Sequence, residues 1–181
     1  MRLFLQGLQY SNLYENEVKK CISQIMVIVK DLHRSKVYHS NINLDTVMVY
    51  QRKSGLEIKL NDFQKAASAK RESSPIKQRK NSVQRLINKK KGALSGVCPE
   101  FKLKMAKDVL DVGLLAYQLL NGVDQEVKVE QVQPTMNPYD GKRWEVISDE
   151  CKELLDLMLT EEATMRFTTV EVLAHPWLAS D

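Results

Sequence analysis

The stretch "DVLDVGLLAYQLLNG", Asp108–Gly122, most constrains how this chain can fold. It is apolar on nearly every helical face and stops at Asn121 and Gly122. A surface helix carries one apolar stripe, whereas a helix that is apolar all round is buried. A glycine directly after the last apolar residue is a common helix end. The sequence therefore predicts a central helix over these residues, with the remaining elements packed around it.

A second helix is predicted near the N-terminus, where Asn12 with Glu15 is expected to cap its start. Apolar residues recur there at spacings that place them on one face of a helix. The stripe consists of Val18, Cys21, Ile22, Ile25, Met26, Val29 and Leu32.

Two further helices are predicted towards the C-terminus. Ser148 opens "SDECKELLDLML", which has acidic residues in its first turn and apolar residues at helical spacing. Thr168 and Glu171 form a capping box before "VLAHPWL", and Pro176 is expected to end that last helix.

Between these helical regions, "TVMVY" and "LEIKL" flank the glycine-containing "QRKSG", which predicts a β-hairpin. The fold class is thus predicted to be mainly α with a small β-hairpin. The length of 181 residues fits one domain, and we expect residues 1–181 to form it.

The net charge of +4 is concentrated in one segment. Residues 70–91 contain nine basic residues and one acidic residue, so the rest of the chain is acidic by about −4. The surrounding region, about 66–97, has no sustained hydrophobic period, and we predict a basic loop there. Either the loop is simply solvated, or it is a docking strip for an acidic surface such as a tubulin tail, nucleic acid or anionic lipid. The lack of interleaved aromatic residues disfavours nucleic acid.

Three cysteines, Cys21, Cys98 and Cys151, form neither a CxxC pair nor a disulfide framework, which predicts buried free thiols in a reducing compartment. The N-terminal residues turn polar too early for a signal peptide, and no run reaches the roughly 18 apolar residues of a membrane span. An intracellular protein, cytoplasmic or cytoskeletal, is expected.

The order of the motifs resembles one family. A helix ending in "DLHRSKVYH" is followed by the hairpin, "LNDFQKA", a long loop, "CPE", the buried helix and "RFTTVEVLAHPWL". Together they resemble the C-terminal lobe of a eukaryotic protein kinase, and the closing His-Pro-Trp-Leu is most similar to the calcium/calmodulin-dependent group. The resemblance implies a protein kinase-like C-lobe without an N-lobe.

The family's catalytic loop reads H-R-D-L-K-P-E-N, in which the Asp accepts the substrate hydroxyl proton and the Asn holds magnesium. This chain reads "HSNINLDT". It keeps His39, but Ser40 stands at the Arg, Asn41 at the catalytic Asp, Asn43 at the Lys and Thr46 at the metal-binding Asn. An amide cannot accept a proton at neutral pH, so the resemblance with these changes predicts no functional catalytic residues. We expect a pseudokinase rather than an enzyme.

The family's magnesium motif D-F-G survives in part as "DFQ", in which Asp62 is kept and Gln64 replaces the glycine. Asp62 is therefore the one candidate metal ligand, or else a carboxylate that only bonds its own loop. No G-x-G-x-x-G and no V-A-x-K is present in the chain. Without these phosphate-binding parts, we expect no ATP and no magnesium cofactor.

Other family positions are retained for architecture. The resemblance implies that Glu100 of "CPE" pairs with Arg166 of "MRF", and that Asp108 hydrogen-bonds the catalytic-loop backbone. His39 is expected to pack into the core of the lobe. His33 and His175 have no partners at metal-ligand spacing, so no metal site is expected there.

Two short motifs in the basic loop resemble phosphorylation sites. Arg79 lies three residues before Ser82, as in basophilic kinase sites, and Ser74 precedes Pro75, as in proline-directed sites. Because Ser40 replaces the Arg that would clamp a phosphorylated activation loop, we do not expect phosphorylation to switch this lobe by the usual route.

Three functions follow as hypotheses. The first is a catalytically inactive kinase-like lobe that acts as a scaffold or structural subunit through protein partners in a larger complex. The second is a truncated or split serine/threonine kinase whose nucleotide lobe is supplied elsewhere. The third is a decoy that competes with an active kinase for its substrate or regulator.

Overall fold

A computed structural model describes residues 13–53, 55–68, 99–122 and 139–179. The basic segment with Ser74 and Ser82 lies outside the described residues, as do Cys98 and Asn12. No helix in these ranges is long and apolar enough to cross a membrane.

The described part contains five α-helices and two antiparallel strand pairs. Helix α1 spans Glu15–Arg34, α2 Pro99–Asn121, α3 Asp149–Leu159, α4 Thr169–Ala174 and α5 Pro176–Ala179. Short 3-10 helices span Phe63–Lys65 and Trp144–Val146. Strands β1 Val37–Tyr38 and β4 Ala67–Ser68 form one pair, and β2 Val47–Arg52 and β3 Gly55–Leu60 form the other. The predicted class, mainly α with a small hairpin, is confirmed.

Helix α1 buries the apolar stripe that its spacing predicts, except Leu32, which is only partly buried. Its first turn is held by Glu17, whose Oε2 accepts a 3.0 Å hydrogen bond from the Tyr14 amide. Glu15, which we expected to cap this helix, instead contacts α3 and α5. The predicted capping residue was therefore wrong. The helix begins at Glu15, and the acidic residue that bonds back to the N-cap Tyr14 is Glu17.

Helix α2 is longer than its apolar pattern predicts. It begins at Pro99 rather than Asp108 and runs without a break to Asn121. Residues 102–107 read Lys-Leu-Lys-Met-Ala-Lys and are exposed or half-buried, so they do not continue the nearly all-apolar pattern on which the prediction depended. The predicted end is correct, because Gly122 has a φ of 111° and donates its amide to the Gln118 carbonyl at 3.0 Å.

The core is one cluster of apolar side chains to which all five helices and the hairpin contribute. Helix α2 packs on α3 at Gly113, where an added Cβ would lie 3.0 Å from Met158 Cβ and 3.1 Å from Leu159 Cδ2. About one turn further along α2, the ring of Tyr117 stacks on that of Trp144, with their centroids 4.9 Å apart. The glycine therefore lets the central helix approach its neighbour closely.

The predicted N-terminal caps of α3 and α4 are both present. Ser148 Oγ accepts a 3.3 Å hydrogen bond from the Cys151 amide at the start of α3. Thr168 Oγ1 accepts a 3.4 Å bond from the Glu171 amide, and Glu171 Oε2 accepts a 2.7 Å bond from the Thr168 amide. Cys21 and Cys151 are buried free thiols, as predicted. Burial raises the pKa of Cys21 to about 11.

Candidate functional site

The residues of the candidate catalytic loop, 39–46, lie between β1 and β2 and are fixed to the head of the central helix. Asp108, which is fully buried, accepts hydrogen bonds from the backbone amides of His39 at 2.9 Å and Ser40 at 2.7 Å. Its Oδ2 also lies 2.9 Å from His33 Nε2. Ser40 has a φ of 64°, a backbone conformation that non-glycine residues rarely adopt. One buried carboxylate thus holds the turn that presents Asn41.

His39 connects this loop to the segment that contains Asp62. Its Nε2 lies 3.0 Å from the Asn61 carbonyl, and because a carbonyl oxygen only accepts, Nε2 carries the proton. Its ring packs edge-on against Phe63, with centroids 4.7 Å apart. Nδ1 of the same ring is buried and has no hydrogen-bond partner among the described residues. The fully buried ring therefore packs against Phe63 and positions the segment at Asn61, and it offers no exposed nitrogen.

Asn41 is half-buried at the position expected for a catalytic base. Its Oδ1 accepts from Lys65 Nζ at 3.2 Å and lies 3.4 Å from Asn43 Nδ2. Nothing in the sequence singled out Lys65, because its contact with Asn41 joins two loops that are 24 residues apart. The site thus contains an ammonium group that sequence reasoning missed.

Thr46 and Asn43 bond within the loop itself. Thr46 is buried, and its Oγ1 lies 2.9 Å from the Asn41 carbonyl and accepts from the Asn43 amide at 2.9 Å. Asn43 Oδ1 accepts from the amides of Asp45 at 2.9 Å and Thr46 at 3.2 Å. These two side chains stabilise the turn, and their oxygens are engaged by the protein.

Asp62 is exposed and has a φ of 57°, so it takes up the left-handed conformation without being a glycine. Its Oδ1 accepts a 3.4 Å hydrogen bond from the Gln64 amide, which starts the 3-10 helix Phe63–Lys65. Within the described ranges, no three His, Cys, Asp or Glu side chains form a metal-binding group. One open carboxylate matches a magnesium ion that takes its other ligands from phosphate and water, whereas the inward-bonded Thr46 does not add a ligand.

The predicted pair of Glu100 and Arg166 is not formed. Glu100 is exposed in the first turn of α2. Arg166 is buried and donates instead to the carbonyls of Thr160 at 2.7 and 3.0 Å, Ala106 at 3.0 Å and Glu161 at 3.1 Å. Burial lowers the pKa of this guanidinium, which nearby Asp111 partly offsets. Backbone carbonyls therefore satisfy the donors that we expected a carboxylate to meet.

Asp111 follows Asp108 by one turn of α2 and supports the same loop. Its carboxylate bonds Lys107 Nζ at 2.7 and 2.8 Å and accepts a 3.4 Å bond from the Ile42 amide. Burial raises the pKa of Asp111, although Lys107 and the Ile42 amide partly counter that rise. Two carboxylates of the central helix thus hold the backbone amides of His39, Ser40 and Ile42, on both sides of Asn41.

Comparisons with known proteins agree with this architecture. A family model described as "Protein kinase domain" matches residues 3–178. The chain is 27% identical over 94% of its length to the serine/threonine-protein kinase DCLK1 of Rattus norvegicus, and equally so to that of Mus musculus. It is 26% identical over 91% of its length to the calcium/calmodulin-dependent protein kinase type II alpha chain of Drosophila melanogaster. These matches cover 39%, 22% and 31% of the respective relatives.

These relatives correct one prediction. We expected a pseudokinase and no enzyme, but the matching proteins are named as serine/threonine and calcium/calmodulin-dependent protein kinases, so the expectation of a non-enzyme is wrong. It depended on the altered catalytic-loop positions and on the absence of the G-x-G-x-x-G and V-A-x-K motifs from the chain. With a family model that spans almost its entire length and relatives in the calcium/calmodulin-dependent group, the chain belongs to the protein kinase domain family.

Proposed function

We propose that this chain is the substrate-binding C-terminal lobe of a calcium/calmodulin-dependent-type serine/threonine kinase. In this proposal, a nucleotide-binding lobe from another segment or another chain supplies ATP. One observation carries the proposal: Asp108 holds the amides of His39 and Ser40 so that Asn41 lies beside Lys65, while Asp62 is open to solvent. The relatives named as serine/threonine kinases support the reaction class.

The site also predicts a slow reaction. Asn41 cannot take the proton of a substrate hydroxyl, and loss of a general base lowers rates by about 10²–10⁴. Asp62 is the residue that would hold magnesium on the phosphates, and the ion would neutralise charge on the transferred group. Positioning and charge neutralisation are therefore the contributions that this lobe retains.

The test is phosphoryl transfer by the endogenous complex, purified gently by a C-terminal tag and supplied with labelled ATP and a generic protein substrate. We expect slow labelling of serine or threonine that is lost in an Asp62→Asn variant. Asp140→Asn, which changes an exposed carboxylate elsewhere, is the matched control and should label at the wild-type rate. Absence of labelling, or labelling that Asp62→Asn does not change, would overturn the proposal.

A second candidate function is a scaffold or structural subunit that binds protein partners. The inward hydrogen bonds of Thr46 and Asn43 favour it, because they stabilise the loop without leaving groups for substrate. The partner proposed from the sequence is a protein with an acidic surface such as tubulin, which would bind the basic segment at 70–91, and the compartment is cytoplasmic or cytoskeletal. The native mass and composition of the same purified complex test this candidate, and a lone chain of 20.8 kDa would contradict both functions.

A further inference from the structure

We propose that Lys65 is a phosphate-binding residue of this site. It supplies the positive charge that is missing at the position of Asn43, where the family's catalytic loop has a lysine. The role of Lys65 in the reaction rests on the proposed kinase function, but phosphate binding by Lys65 can be tested without it.

Lys65 is the last residue of the 3-10 helix that Asp62 caps, so the candidate magnesium ligand fixes its backbone. Its Nζ reaches across to the other loop and donates to Asn41 Oδ1 at 3.2 Å. Asp108 in turn fixes the turn that carries Asn41. Both ends of the contact between Lys65 and Asn41 therefore belong to positioned elements.

The charge of Lys65 is not neutralised by a carboxylate. Across the described residues, no Asp or Glu oxygen lies within 4.0 Å of its Nζ. Lys107 and Lys59 differ in this respect, because Lys107 Nζ lies 2.7 Å from Asp111 and Lys59 Nζ lies 3.2 Å from Glu57. Asn41, the acceptor that Lys65 does have, is neutral. The exposed ammonium group is therefore available to an anion.

A phosphate placed between Asp62 and Asn41 would meet this ammonium group. In the proposed transfer, the bond from the γ-phosphorus of ATP to its bridging oxygen breaks, and the electron pair leaves with ADP. A bond forms from that phosphorus to a serine or threonine oxygen, and the hydroxyl proton passes to water, because Asn41 cannot accept it. Negative charge on the three other oxygens is what Lys65 stabilises.

The first experiment measures binding with the full chain and inorganic phosphate as the probe. The side-chain amide resonance of Asn41 is followed by NMR while phosphate replaces chloride at constant ionic strength. We expect a saturable shift in the wild type, in Lys65→Arg and in Lys53→Gln, which removes an exposed charge at the hairpin turn, and no shift in Lys65→Gln. No shift in the wild type, or an equal shift in Lys65→Gln, would overturn the inference.

The second experiment measures transfer in the purified complex. We expect Lys65→Gln to lower kcat about tenfold, with KM for the protein substrate unchanged, because an exposed charge is partly screened by solvent. Lys53→Gln should leave both parameters unchanged. Transfer that is insensitive to Lys65→Gln would overturn the role of Lys65 in the reaction. A phosphate shift that requires Lys65, in a complex without transfer, would support phosphate binding and refute the kinase function.

Discussion

Asp108 and Ser40 lie 68 residues apart and are joined by a 2.7 Å hydrogen bond from the Ser40 amide to Asp108 Oδ1. The bond holds Ser40 at its φ of 64° and so sets the direction in which the loop leaves the central helix. Because Oδ2 also serves the His39 amide and His33 Nε2, one carboxylate organises donors from two segments.

Removal of this carboxylate should therefore destabilise the whole lobe. Each buried donor that loses its partner costs about 1–3 kcal/mol, and Asp108 serves three of them. We expect Asp108→Ala to lower the free energy of unfolding by about 3–5 kcal/mol, as measured by urea denaturation. Asp140→Ala, at an exposed position, should change it by less than about 0.5 kcal/mol. A small effect of Asp108→Ala would show that water replaces the carboxylate.

A side chain added at Gly113 should disturb the packing of the core. An added Cβ would meet Met158 Cβ at 3.0 Å and Leu159 Cδ2 at 3.1 Å, so α2 and α3 would have to separate. Overpacking typically costs about 1–3 kcal/mol, and the better helix propensity of alanine returns up to about 1 kcal/mol. We expect a net loss for Gly113→Ala and a larger one for Gly113→Val, both measured by thermal unfolding. Equal stability of glycine and alanine here would contradict the close helix contact.

Glu15 links three elements and predicts a pH dependence. Its carboxylate bonds Ser148 Oγ, accepts from the Ser148 amide at 2.9 Å, and accepts from Trp177 Nε1 at 2.7 Å. Burial acts to raise the pKa of Glu15, but these hydrogen bonds outweigh it and the pKa lies below the ordinary 4.5. The folded state thus binds fewer protons than the unfolded state at acidic pH, and the stabilisation is complete above about 4.5.

We therefore expect stability to be lost as the pH falls from 4.5 through the lower folded pKa of Glu15. Glu15→Gln should lack this pH-dependent stabilisation. We expect its free energy of unfolding to be lower by on the order of 1 kcal/mol at neutral pH and to fall less steeply as the pH becomes acidic. The measurement is urea denaturation from neutral to acidic pH. Glu145→Gln, at an exposed position of the 3-10 helix Trp144–Val146, provides the control. If the free energy of unfolding fell equally steeply with pH in the wild type and in Glu15→Gln, Glu15 would not be the group responsible for the loss of stability in acid.

The contrast between Asp108–Gly122 and Glu15 shows which features the sequence predicts. The buried helix, the hairpin and the caps at Ser148 and Thr168 are local patterns, and the structure contains each of them. Glu15 bonds residues more than 130 positions away, so its neighbours in the sequence suggested only a cap.

Arg166 and Lys65 illustrate the same limit at the site. The carbonyls that Arg166 meets depend on how the start of α2 packs beside the residues after α3. Lys65 gains its place from the conformation of Asp62 and the turn at Ser40. Motif spacing identified the loop, but the partners of these charges required the three-dimensional arrangement.

Asn41 provides the sharpest test of the reaction itself. A carboxylate at this position could accept the substrate proton that the amide cannot, and Lys65 Nζ, 3.2 Å from Oδ1, would keep it ionised at neutral pH. We expect Asn41→Asp to raise kcat of the purified complex by at least about 10², the lower end of the contribution of a general base. Asn43→Asp adds the same charge two residues away, where Oδ1 already accepts two backbone amides, and should not raise kcat. An unchanged rate in Asn41→Asp, with native stability retained, would mean that proton removal does not limit transfer by this lobe.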